Sequence, residues 1–183
     1  MVVKNKPSTS DSDKELLKYL DEAVKLEKSS MTFYSTARNK VSNFNMKALL
    51  NAFLTVEVEH LIAVTMVRDL VKSRHTAEAV REAKKFRHTT PANPFKDMVQ
   101  WEKLTRSYGS DIFTLFKGAE DLETRAEEFY LGAAKNVKNP ELKAFLKRFA
   151  ADEARHRRFL QQHKEAVYND GYWLGIDHVR LQT

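Results

Sequence analysis

The chain has 183 residues, enough for one domain with a substantial core. Its 42% hydrophobic and 31% charged residues exclude an intrinsically disordered chain, and its five glycines and four prolines favour long helices over many turns. The absence of cysteine excludes disulfides, cysteine zinc sites and thiolate-ligated iron–sulfur centres within the chain, while the formal charge of +6 sets nucleic-acid binding against plain solvated helix faces.

Residues 1–12, beginning MVVKNKPSTS, lack the apolar run of a secretion signal and read as a disordered tail. With no cysteine present, they point to a cytoplasmic protein. Ser12-x-x-Glu15 is a capping-box pattern opening a helix of about 13–40, with Leu16, Leu20, Val24, Met31, Tyr34, Ala37 and Val41 at helical spacing. A second helix of about 44–73 carries Leu50, Leu54, Leu61, Val64 and Val71 on its stripe. The longest apolar stretches fall short of a membrane span. Some three dozen residues follow, predicted to hold shorter helices at about 76–87 and 94–108, the latter opened by Asn93-Pro94 and stopped by Gly109. A helix of about 110–136 comes next, and Asn139-Pro140 starts another of about 140–168. The remainder, 169–183, reads as a non-helical extension whose Tyr172, Trp173 and Leu174 pack back on the bundle or on another chain. Short links join the first long helix to the second and the third to the fourth. A long link joins the two pairs, which is the ferritin-like connectivity of an all-α four-helix bundle with a crossover.

The two halves repeat. LEKSSMTFY from Leu26 matches LETRAEEFY from Leu122, and FLTVEVEH from Phe53 matches FAADEARH from Phe149. The offset is constant at 96 residues: Glu27 to Glu123, Glu57 to Glu153, His60 to His156. Each half supplies one Glu from its first helix and a Glu-x-x-His from its second, all on apolar stripes. A buried carboxylate is costly unless it is paired or binds a metal. Four carboxylates and two imidazoles brought together by a pseudo-two-fold are the donor set of a di-iron or di-manganese carboxylate centre, with two divalent ions offsetting the charge. Tyr34 and Tyr130, each seven residues after its Glu, sit where they can hydrogen-bond those carboxylates or simply pack. His75, His88, His163 and His178 lack partner spacing and read as surface or packing residues, and Glu59 falls on another face.

These pieces resemble the rubrerythrin family of the ferritin-like superfamily, over roughly 13–168 apart from the crossover; LEKSSMTFY, ADEARH and the two Glu-x-x-His motifs carry the likeness. The resemblance implies two iron ions held by Glu27, Glu57, His60, Glu123, Glu153 and His156, with manganese or zinc as substitute occupants. It implies reduction of hydrogen peroxide or oxygen at that centre, and a homodimer. Family members that carry a cysteine-ligated rubredoxin domain receive electrons through it; this chain has no cysteine, so an external electron-donor protein is expected. The family also uses an extra helix Glu three residues after the position of Glu123. Ala126 stands there, leaving Glu120 and Glu127, on nearly the same face, as candidates for a seventh carboxylate. Rival readings are a ferroxidase for iron storage or sequestration, a di-iron oxygenase or hydroxylase of an organic substrate, and a basic bundle that binds nucleic acid. Nucleic acid and membrane are not the expected partners.

Overall fold

The computed structural model describes residues 11–42, 44–88, 91 and 111–170. Among these are five helices and no strand: α1 (Asp11–Lys40), α2 (Phe44–Lys72), α3 (Thr76–Lys85), α4 (Asp111–Asn136) and α5 (Pro140–Asp170). The α1–α2 and α4–α5 pairs are hairpins, α1 crosses α4, and α3 lies against α2 and α5. This is the all-α arrangement expected, with α3 in the crossover. The helix predicted at 94–108, most of the tail and most of the C-terminal extension fall outside the described residues.

Several boundaries differ from the sequence reading. α1 is described from Asp11, which places Ser12-x-x-Glu15 within its first turn. α3 ends two residues early, and α5 runs on to Asp170. Asn139 does cap α5: its Oδ1 accepts the backbone N–H of Glu141 at 3.0 Å and of Leu142 at 3.1 Å. α2 ends through Arg74, at φ 66°, whose left-handed conformation lets His75 N–H reach back to Leu70 C=O at 2.8 Å.

One expectation is overturned. Met46–Lys72 within α2 is long and apolar enough, by length and composition, to cross a membrane. Reading for unbroken apolar runs missed it because Glu57, Glu59 and His60 interrupt the run without cancelling its average. Leu49, Leu50, Phe53, Val56, Val64, Val67 and Val71 of this helix are buried in the bundle, while Ile62 and Met66 remain on its outer face.

The core divides into two apolar clusters. One gathers Leu20, Val24, Val64, Phe145 and Phe149; the other gathers Tyr34, Met46, Leu50, Phe53, Phe116 and Leu160. On α1, α2 and α5 the polar positions come between contributors to the two clusters, so a charged layer lies between apolar ones. Phe149 anchors the first. It is fully buried, with ring centroids 4.4 Å from Phe86, 4.8 Å from Phe145 and 4.9 Å from Tyr130. Phe149→Ala is expected to cost about 3–5 kcal/mol, read as the midpoint of urea unfolding with an unchanged slope.

Candidate metal centre

All six residues of the repeat converge. Glu27, Glu57 and Glu153 are 1% exposed, and His60, Glu123 and His156 are fully buried. Helical spacing achieves this: Glu27 lies on the stripe of Ala23, Ser30 and Tyr34, and Glu57 and His60 lie between Phe53 and Val64. Ligand atoms of Glu57, Glu123, Glu153 and His156 lie within 4.8 Å of one another, as do those of Glu27, Glu57 and His60. Glu57 belongs to both groups. Glu153 reaches both imidazoles, with one oxygen 3.1 Å from His60 Nδ1 and the other 3.1 Å from His156 Nδ1. The rings of His60 and His156 stack at 5.3 Å.

The electrostatics are those of a nest made for cations. Burial pushes the Glu27 carboxyl up to about 7, and Glu153 adds to the push. Burial and Glu153 likewise raise Glu123 to about 8, and burial with Glu153 and Glu123 holds Glu57 well above the ordinary range. Glu153 goes the other way: burial would raise it, but His60 and His156 together draw it well below that range. Burial disfavours the imidazolium of His156, yet the neighbouring carboxylates of Glu123 and Glu153 raise it to about 9. His60 is also raised, by Glu153 and Glu27 against the effect of burial.

Glu57 Oε1, Glu123 Oε2 and His156 Nε2 are buried without a hydrogen-bond partner. Such a group normally costs roughly 1–3 kcal/mol. Two adjacent groups of acceptor oxygens and imidazole nitrogens, with unsatisfied carboxylate oxygens among them, fit a pair of divalent ions whose ligands are mostly hard oxygens.

The two tyrosines are engaged crosswise. Tyr34 O–H of α1 donates to Glu123 Oε1 of α4, and Tyr130 O–H of α4 donates to Glu27 Oε1 of α1. Burial, then the neighbouring carboxylates, raises both phenols well above their usual range, so each remains a donor.

Glu120 and Glu127 do not join the cluster. Glu120 pairs with Lys164 at 2.6 Å and Glu127 with Arg157 at 2.9 Å, both from α5. Ala126, 2% exposed, leaves no carboxylate at the third position after Glu123. Glu120→Gln with Glu127→Gln is therefore expected to leave metal stoichiometry unchanged in an equilibrium titration. A fall in stoichiometry would make one of them a ligand.

On α1, Ser30 takes the buried slot expected for Met31, which is half-buried; Ser30 Oγ satisfies itself on Leu26 C=O at 3.3 Å. His163 is buried as packing: its ring lies 4.1 Å from Phe159, and Nδ1–H donates to Phe159 C=O at 2.8 Å. His88 is half exposed but not idle, since its Nδ1 lies 2.9 Å from Asp152 Oδ1.

Asp152 is the functional candidate that sequence reasoning missed. It is fully buried, receives Arg155, and places Oδ2 3.6 Å from Nε2 of His60. Its signal was available: it lies three residues after Phe149 and four before His156, on the buried stripe of α5.

Residues 18–164 match the protein-family model described as Rubrerythrin. No curated protein and no solved structure matched.

Proposed function

The chain belongs to the rubrerythrin family, and from that premise we propose that it is a di-iron oxidoreductase that reduces hydrogen peroxide, taking electrons from an external donor. The observation that carries this reading is the sealed donor set: four carboxylates and two imidazoles, each at most 1% exposed, in two adjacent groups that share Glu57. Glu27 with His60 would hold one ion and Glu123 with His156 the other; Glu57 belongs to both groups, and Glu153 belongs to the second while its other oxygen lies 3.1 Å from His60 Nδ1. When bound, the two irons supply two one-electron oxidations, matching the two electrons that hydrogen peroxide takes up, with two protons, in becoming two waters. The protein's own part is positional. Tyr34 and Tyr130 fix the outer carboxylates, and Phe53, Phe86 and Phe149 wall the imidazoles away from bulk water. Burial makes these carboxylates costly to ionise on their own, so bound cations and ionised ligands would stabilise one another. These 183 residues hold no cysteine for a thiolate-ligated relay, and an external donor is the source of electrons proposed. A cytoplasmic homodimer is the setting proposed.

A second reading, an oxygenase acting on an apolar substrate, draws on one feature. A mostly apolar groove of about 270 Å³ is lined by Ile62, Ala63, Met66, Phe86 and Phe145 together with the charged Glu59, Glu82 and Lys85, and the Phe86 ring lies 5.9 Å from the His60 ring. None of the six cluster residues lines that groove. Anaerobic loading with Fe(II), then stopped-flow mixing with hydrogen peroxide or with oxygen, separates the readings. The peroxidase reading predicts that peroxide oxidises the centre much faster than oxygen and that an artificial reductant restores it. Fast oxygen consumption with continuing Fe(II) turnover would instead establish a ferroxidase. Product formation from an apolar organic substrate would establish an oxygenase.

A further inference from the structure

We propose that the two metal positions are unequal by construction: Asp152 makes the His60 position the tighter one, and the His156 position, which has Val56 at the equivalent place, is the one that exchanges. The inference rests on the dimetal reading above and concerns the shell outside it.

The six inner residues obey the 96-residue repeat, but the layer behind the imidazoles breaks it. Asp152 corresponds to Val56, and Arg155 to Glu59. In the second half, Asp152 is fully buried and held from one side by Arg155 and by His88 Nδ1 at 2.9 Å. Its other oxygen faces Nε2 of His60 at 3.6 Å, while Nδ1 of the same ring faces the cluster, 3.1 Å from Glu153. A carboxylate behind a ring nitrogen keeps the proton on that nitrogen. The lone pair of the other nitrogen is then aimed at the metal and is made more basic. The arrangement therefore crosses between the halves: Asp152 of α5 serves His60 of α2.

Among the described residues the reciprocal service is missing. Val56 of α2 offers no acceptor, and Glu59 is exposed on another face. Nε2 of His156 is buried without a hydrogen-bond partner, and the neighbouring ring is Phe53, edge-on at 5.7 Å. Of the inner donors, each position has one carboxylate of its own, Glu27 or Glu123, and shares Glu57; Glu153 groups with His156, although its other oxygen lies 3.1 Å from His60 Nδ1, so the outer partner of His60 stands against one additional inner donor at His156. Outer partners of ligating histidines are typically worth 10–100-fold in metal affinity, and that is the inequality expected here beyond the mutual repulsion of two cations.

The test is an equilibrium titration with Co(II), followed by visible absorption and by competition with a chromophoric chelator. In the unsubstituted chain two stepwise constants are expected. Asp152→Val should weaken the first by 10–100-fold and leave the second in place, so that the two converge. His60→Ala should abolish the tight step, and adding Asp152→Val to it should change nothing further. Asp152→Asn, which keeps the shape and removes the charge, should fall between and serves where the valine variant does not fold. Equal weakening of both constants by Asp152→Val, or of the single constant remaining in His60→Ala, would reduce Asp152 to a structural role and overturn the inference. Unchanged constants in both Asp152 variants would overturn it too. Two cobalt ions bound with no effect of Asp152 would leave the dimetal reading standing, whereas no stoichiometric cobalt in the unsubstituted chain would remove both.

Discussion

The metal-free protein is expected to lose roughly 6–12 °C of Tm when the pH is raised from 6 to 8.5. The sign follows from the proton count. Glu27 and Glu123 hold their protons to about 7 and about 8 in the folded state, and His156 holds its proton to about 9. Glu57 and His60 are displaced upward as well. In the unfolded chain the same carboxyls ionise near 4.5 and the histidines near 6.5. Between those limits the folded state binds more protons, so unfolding becomes easier as pH rises. Glu153, displaced downward, is ionised in both states across this window and contributes nothing to it. Counted as the least case, one net proton kept by the whole cluster over two pH units, the effect is worth about 3 kcal/mol, and each kcal/mol moves Tm by about 2–4 °C in a chain of this size. Metal binding replaces those protons with cations, so the loaded protein should show the opposite slope, stabilised towards pH 8 and losing metal in acid. Scanning calorimetry of both forms at several pH values measures this. A metal-free Tm that climbs with pH would mean that the six groups do not share one buried environment.

Glu57→Gln is expected to separate stability from binding. Glu57 is shared by both groups and is driven well towards its neutral form by burial and three neighbouring carboxylates. Glutamine copies the shape of that neutral form without the pressure to ionise. The metal-free variant should therefore melt at or above the parent's Tm at pH 8.5, with a shallower pH slope. The same change removes one anionic donor from both positions. Affinity should fall by more than the 10–100-fold typical of outer partners, abolishing stoichiometric binding at micromolar Fe(II). Calorimetry and an anaerobic titration read the two halves. A variant both less stable and fully metal-binding would contradict this account of Glu57.

Legibility in the sequence tracked repetition. Glu27, Glu57, His60 and their copies stood out because three pairs keep one offset and all fall on helical stripes. The same comparison supplied Tyr34 and Tyr130, although not that each tyrosine would serve the other half's carboxylate. What has no copy stayed hidden. Asp152 corresponds in the repeat to Val56, so a search for matched residues passed over it, although its place on the α5 stripe marked it as buried. Glu120 and Glu127 lay close to the right face, but Lys164 and Arg157 one helix away turn them outward, and pairing between helices is not written in the spacing of either. Ser30 took Met31's place because the bundle wanted a small side chain one turn from Glu27, opposite in the repeat to Ala126. The apolar average of α2 went unnoticed for a related reason: polar residues break its runs, and two of them, Glu57 and His60, belong to the cluster.

The most direct test of the central claim is iron per chain after anaerobic Fe(II) loading and removal of free metal, with Glu57→Ala plus Glu153→Ala measured alongside. Two irons per chain in the parent and none held by the double variant, each still folded by circular dichroism, is the predicted result. No stoichiometric iron in the parent, or equal iron in both, would contradict the dimetal centre and leave the 96-residue repeat as a mark of ancestry alone.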